Sequence, residues 1–354
     1  MRPARSTLAT VLGLVAALGG ATVAQAAPND PLYAQQWGPQ QVRAEQAWPK
    51  SKGAGAVIAI VDSGVDLDHP DLATKVLTGK TFLGCGSAGC GNGDWQSGPQ
   101  SRRQFDSPHG THVAGIAAAA TGNGKGIAGV APDAKILPVK VLDEDGGSFA
   151  DIGLGIRYAA DQGAEVVNLS LGALPGVQVL TFTGVIAEVK SAIAYANAKG
   201  AVVVAAAGNE AAPLCDTPGF DPGTLCVGAT DRREAHSFYS NFAANPELLA
   251  VSAPGGSGLP VCGEDVLSTV PAGEGATYCG YPATADYDEY AGTSMAAPHV
   301  AGVAALLAAQ GRSRTSTLKA ITSTARHPGT NVRGVYDPVF GYGIVDAAAA
   351  VAAP

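Results

Sequence analysis

Four polar residues stand where apolar runs break off. Asp62 ends AVIAIVD, His109 lies in SPHGTH, Asn209 closes AVVVAAAGN, and Ser294 heads SMAAPHVAGVAALLAA. A carboxylate, an imidazole, an amide and a hydroxyl form a set for nucleophilic catalysis. The hydroxyl attacks, the imidazole takes its proton, the acid fixes the imidazole's tautomer, and the amide holds the oxyanion. None of the four is informative alone. A serine before an apolar helix is ordinarily a cap, and an asparagine after a strand is ordinarily a turn residue. Asp62 is followed by Asp66, Asp68 and Asp71, so acidity does not single it out. Only the joint pattern carries the reading.

Such a set needs elements that end together. AVIAIVDSG (56–64), KILPVKVL (135–142), AEVVNLSLG (164–172) and AVVVAAAGN (201–209) are continuous β-rich runs, as expected of strands covered on both faces. Helical patterns lie between them: HVAGIAAAA (112–120), ADIGLGIRYAADQG (150–163) and TGVIAEVKSAIAYANAKG (183–200). Glycine ends the last two. This alternation predicts an α/β fold, a three-layer, doubly wound, mainly parallel sheet with helices on both faces. Chemistry in such sheets collects at the carboxyl ends of the strands. Ser294 is expected at a helix start, where unpaired N–H groups and the dipole favour negative charge. Pro298 is expected in the first turn, where its missing donor costs little.

Composition agrees with one large domain. Of 354 residues, 46% are hydrophobic and 15% charged, with 47 glycines, enough for a sizeable core. The formal charge of −8, without a Lys/Arg run, argues against nucleic-acid binding. Arg2, Arg5, the apolar stretch from Leu8 to Leu18 and Ala24-Gln25-Ala26 read as a signal peptide over 1–26. Its removal takes the charge from −8 to −10 by losing two arginines. No other segment approaches a membrane span. The chain 27–354 is therefore expected to be a secreted, extracellular monomer without a stable membrane anchor. In that compartment Cys85/Cys90, Cys215/Cys226 and Cys262/Cys279 are expected to pair locally, although six cysteines allow about 15 pairings.

Competing motifs fail. GKT at 79–81 lacks the glycine a phosphate loop needs at position 74, which is Thr74. No HExxH accompanies His109 and His112, so His112 is expected to pack on its helix. No GxSxG elbow is present, which argues against an α/β-hydrolase esterase. An inactive binding protein on this fold would be expected to lack one of the four groups. A secreted esterase using them would be expected to carry a lipid-binding surface.

IVDSGVDLDHPDL, SPHGTHVAGIAA, AAAGNE and GTSMAAPHVAG resemble, in that order, the signature blocks of the subtilisin-like serine peptidases. The likeness runs from about Asn29 to the C-terminus. It implies a subtilisin-like fold and hydrolysis of protein or peptide substrates through an acyl-enzyme. Asp62, His109 and Ser294 would form the triad, Asn209 and the Ser294 N–H the oxyanion hole, and Thr293 its support. Substrate would lie as an extended strand between Gly146-Gly147-Ser148 and Ser170-Leu171-Gly172, beside Asp143, Glu144 and Asp145. Asp216 would sit near the floor of the primary specificity pocket, giving tolerance for Lys or Arg before the scissile bond. Likeness to thermitase-like members implies a structural Ca²⁺ held by the side chains of Asp30, Asp71 and Asn123. Backbone oxygens of Ala120, Lys125 and Ile127 would complete it. A second family site would need an acid where Ala250 stands, and is expected to be lost. Residues 27–50 resemble the arm of the mature enzyme, so no long inhibitor-like propeptide is expected.

Overall fold

The computed structural model describes residues 27–99, 106–172, 187–275, 279 and 286–354. The expected signal peptide and the first residues of the 183–200 helical pattern lie outside them. After a 3₁₀ turn (Tyr33–Gln35) come α1 (Trp37–Gln41), α2 (Ala44–Ala47), β1 (Val57–Asp62), β2 (Lys80–Thr81), α3 (His109–Ala118) and β3 (Lys135–Lys140). Next are α4 (Phe149–Asp161), β4 (Val166–Leu169), α5 (Ala187–Ala198), β5 (Val202–Ala206), β6 (Thr224–Thr230) and β7 (Leu249–Pro254). The chain closes with β8 (Val266–Thr269), β9 (Tyr287–Tyr290), α6 (Thr293–Ala308), α7 (Arg314–Thr324) and α8 (Ala347–Ala352).

The first seven strands form one parallel sheet in the order β2-β3-β1-β4-β5-β6-β7, and β8 pairs antiparallel with β9. From β1 the chain winds to β3 on one side and to β4 on the other. That reversal opens a crevice at the carboxyl end of β1, which is where Asp62 stands. The mainly parallel α/β fold expected from the alternating pattern is the one observed.

Strand alternation sorts the core into two layers. Ile58, Ile60, Ile136, Val166, Val202 and Val204 pack with Val113 and Ile116 of α3 and Val300 and Val303 of α6. Ala59, Val61, Leu137, Val139, Val167 and Val203 pack with Ile152 and Ile156 of α4 and Ile193 of α5. Each fully buried branched side chain contributes about 1.5–3 kcal/mol relative to exposure. Continuing the alternation puts Asp62, Lys140 and Asn168 on the face covered by α3 and α6.

Several boundaries differ from the sequence expectation. The runs at 135–142 and 164–172 are strands only over Lys135–Lys140 and Val166–Leu169. α3 begins at His109 rather than at 112 and ends at Ala118. Pro298 is the sixth residue of α6, in its second turn rather than its first. His112 is a core residue, as expected. It is fully buried, bonds the Asp288 carbonyl at 3.1 Å and stacks on Tyr290. Burial holds it near the neutral form, with a pKa lowered to about 3. The three disulfides join the expected local pairs. No helix among the described residues is long and apolar enough to cross a membrane.

Candidate active site

Asp62 ends β1 with its side chain fully buried, and His109 opens α3 with its ring partly exposed. His109 Nδ1 lies 2.8 Å from Asp62 Oδ1. A carboxylate only accepts, so Nδ1 carries the proton and neutral Nε2 keeps its lone pair. Ser63 braces the pair. Its N–H donates to Asp62 Oδ1 at 2.7 Å, and its hydroxyl donates to the Ser107 carbonyl at 3.0 Å and accepts from Gly110 N at 2.9 Å. α3 fits this closely because residue 110 is glycine: a Cβ there would lie 2.2 Å from the Gly64 oxygen. Burial pulls the His109 pKa down, but the charge and hydrogen bond of Asp62 outweigh it, with a smaller push from Glu144. The ring therefore titrates above the ordinary imidazole value.

Ser294 is the second residue of α6, whose cap is Gly292 at φ 153°, a conformation open to glycine. A normal helix would bond the Ser294 carbonyl to the N–H four residues on, but that residue is Pro298, which has none. The Ser170 hydroxyl donates to that carbonyl instead, at 2.7 Å, while Asn168 Nδ2 donates to Ser170 Oγ at 2.9 Å. The Ser294 hydroxyl rests on the Ser170 carbonyl at 3.3 Å rather than on His109.

Asn209 follows β5. Its Oδ1 accepts from Thr293 N at 2.9 Å and from Thr293 Oγ1 at 3.1 Å, which leaves the amide NH₂ as the donating end. A cavity of about 110 Å³ is lined by Asn209, Ser294, Thr293, Leu171, Gly172, Asp216 and Glu210. Asp216 is buried here and Glu210 exposed. The sequence reading did not single out Glu210. A second cavity of about 360 Å³ lies between Gly146-Gly147 and Leu171-Gly172, with Leu142, Phe149 and Ile152 in its wall. The two segments thus face one cleft. Ser148 is also the N-cap of α4, accepting from Asp151 N at 3.0 Å.

The residues expected to hold a metal also converge. Asp30 accepts from the N–H groups of Gly122 at 2.8 Å and Asn123 at 3.1 Å. Asp71 accepts from Ile127 N at 3.0 Å, Asn123 Nδ2 at 2.8 Å and the Tyr287 hydroxyl at 2.9 Å. Both acids are buried. Burial and the charge of Asp71, working against backbone donors, raise the Asp30 pKa. Among the described residues no hydrogen bond ends on the carbonyl oxygens of Ala120, Lys125 or Ile127, although Ile127 is fully buried. Two buried acids with no ion pair among the described residues, beside orphaned carbonyls, fit a hard divalent cation. Ala250 lies in β7 within an apolar cluster and offers no carboxylate.

Residues 53–343 match the profile of the Peptidase S8, Subtilase family. The chain is 43% identical to thermitase of Thermoactinomyces vulgaris over 300 residues, covering 84% of this chain and 91% of that protein. It is 39% identical over 322 residues to a thermophilic serine proteinase of Bacillus sp. (strain AK1), covering 90% and 69%. Among solved structures, a protease from Pseudoalteromonas arctica PAMC 21717 superposes with a TM-score of 0.74 at 32% identity, covering 92% of this chain and 99% of that one.

Because Glu144 contributes to the high His109 pKa, Glu144→Gln is expected to lower the midpoint of the His109 ring titration read by ¹⁵N NMR. Asp62→Asn should lower it further. An unchanged midpoint in both variants would refute this account of the ring's electrostatics.

Proposed function

This chain belongs to the subtilase family of serine peptidases, and we propose that it is a secreted endopeptidase in which Ser294 attacks the peptide carbonyls of protein substrates. The 2.8 Å contact between His109 Nδ1 and Asp62 carries the reading, because it leaves Nε2 as the base. Rotation of the Ser294 hydroxyl away from Ser170 toward Nε2 starts the reaction. Oγ bonds to the carbonyl carbon as its proton passes to His109. The Asn209 amide and the Ser294 N–H meet the developing oxyanion. His109 then returns the proton to the leaving amine, and water hydrolyses the acyl-enzyme by the reverse sequence.

Ser294→Ala is expected to abolish casein hydrolysis. Asn209→Ala should lower kcat by roughly 10²–10³, the size found for the oxyanion asparagine of subtilisin, while KM changes little. Full activity in Ser294→Ala would exclude this nucleophile.

The smaller cavity holds two acids, Asp216 and Glu210, which supports acceptance of Lys or Arg before the scissile bond. Chromogenic peptides differing only at that residue test it. Asp216→Asn with Glu210→Gln should reduce kcat/KM for the Arg peptide more than for the Leu peptide. A wild-type enzyme that cleaves after Leu or Phe and never after Arg would refute the preference.

Calcium held by Asp30, Asp71, Asn123 and the carbonyls of Ala120, Lys125 and Ile127 would tie the N-terminal arm to the loop after α3, supplying charge neutralisation and no catalytic step. EDTA should then lower the melting midpoint by several degrees, restored by added Ca²⁺. An unchanged midpoint would exclude a stabilising metal. Removal of residues 1–26 on export, a monomeric state and an extracellular location complete the reading, supported by the signal-like head and the three disulfides.

A further inference from the structure

We propose that Lys140 is a positioning residue for His109, its buried ammonium fixing through Asp106 the segment that delivers the imidazole onto Asp62. The inference rests on His109 acting as the base. Lys140 ends β3 with its side chain 1% exposed, and its Nζ lies 3.2 Å from Asp106 Oδ1, itself 2% exposed. Lysine ordinarily keeps its ammonium in water, and a buried ion pair seldom stabilises a fold more than apolar packing would. Ile136 faces the same layer four residues earlier in the strand and is apolar. The sheet alone therefore has no need of a charge at position 140.

What the charge contacts is informative. Lys140 is the register partner of Asp62 on the adjacent strand, and Val141 N bonds the Asp62 carbonyl at 2.9 Å. Asp106 precedes His109 by three residues. The same ammonium also donates to the Trp95 carbonyl. Trp95 N in turn bonds the Val65 carbonyl at 3.2 Å, just past β1. Lys140 thus holds two segments that flank the end of β1. Ser63 anchors the histidine segment from β1, and Lys140 anchors it from β3. With one anchor gone, the entry to α3 can shift against Asp62, and displacements of about an ångström are enough to slow catalysis.

The test uses Asp106→Asn and the double variant Lys140→Met with Asp106→Asn, which removes both charges of the pair. Peptide turnover is measured against pH, alongside denaturant midpoints. Both variants are expected to fold and to lose roughly tenfold or more in kcat, with KM within about twofold. The acid limb of kcat/KM should also move to lower pH, because the high His109 pKa depends on contact with Asp62. A purely stabilising pair would not move that limb. Wild-type kcat and an unmoved limb in the folded variants would overturn the proposal, as would failure of both to fold. Wild-type turnover and its loss in Ser294→Ala, run in parallel, report separately on the peptidase reading. If the wild type turned over no peptide, the ¹⁵N titration of His109 would still read the pair: a midpoint unchanged in the variants refutes the anchor.

Discussion

The period-two alternation of a sheet covered on both faces constrains everything else in this molecule. One set of side chains on β1, β3, β4 and β5 faces α3 and α6, and the other faces α4 and α5. Asp62, Lys140 and Asn168 fall in the first set, and their strands end beside one another. The helices bearing His109 and Ser294 lie on that same side. A slip of one residue in β1 would turn Asp62 toward α4 and leave the imidazole without its acceptor. The apolar layers therefore fix the polar constellation before any polar contact forms.

Within that frame the serine is held by backbone accounting. A helix interior has no tolerance for an unbonded carbonyl in a dry setting. Pro298 creates one at Ser294, and Ser170 resolves it. The same Ser170 offers its own carbonyl to the Ser294 hydroxyl. The loop after β4, which borders both cavities, is thus tied to Ser294 by two hydrogen bonds. Asn168, buried below, fixes the Ser170 hydroxyl in turn. A defect in one helix becomes the link between Ser294 and the cleft.

Much of this was legible in the sequence because it depends on continuous patterns. The long apolar runs marked buried strands, and sequence-local cysteines gave the pairing. Other features were hidden because they depend on which face a residue takes. Asn168 and Lys140 sit inside runs read simply as strand, and a run without polar alternation does not reveal its faces. Pro298 falls a turn later than expected because the helix starts at Thr293, behind Gly292, rather than at Ser294. At the cavity, Asn241 Nδ2 donates to the Glu210 carboxylate at 3.0 Å, across 31 residues of chain. No local signal encodes that contact.

Buried charge is resolved here in three different ways. His112 and His299 stay neutral, their pKa values depressed by burial to about 3 and about 4. Lys140 and Asp106 cancel within the protein. Asp30 and Asp71 form no ion pair among the described residues and are steadied instead by N–H groups and the Tyr287 hydroxyl, which carry only partial charge. Dipoles of that kind offset part of the desolvation of a carboxylate, but they do not remove the repulsion between two of them. The first two solutions are complete in the chain itself. The third leaves two buried carboxyl groups close together where the N-terminal arm meets the loop after α3.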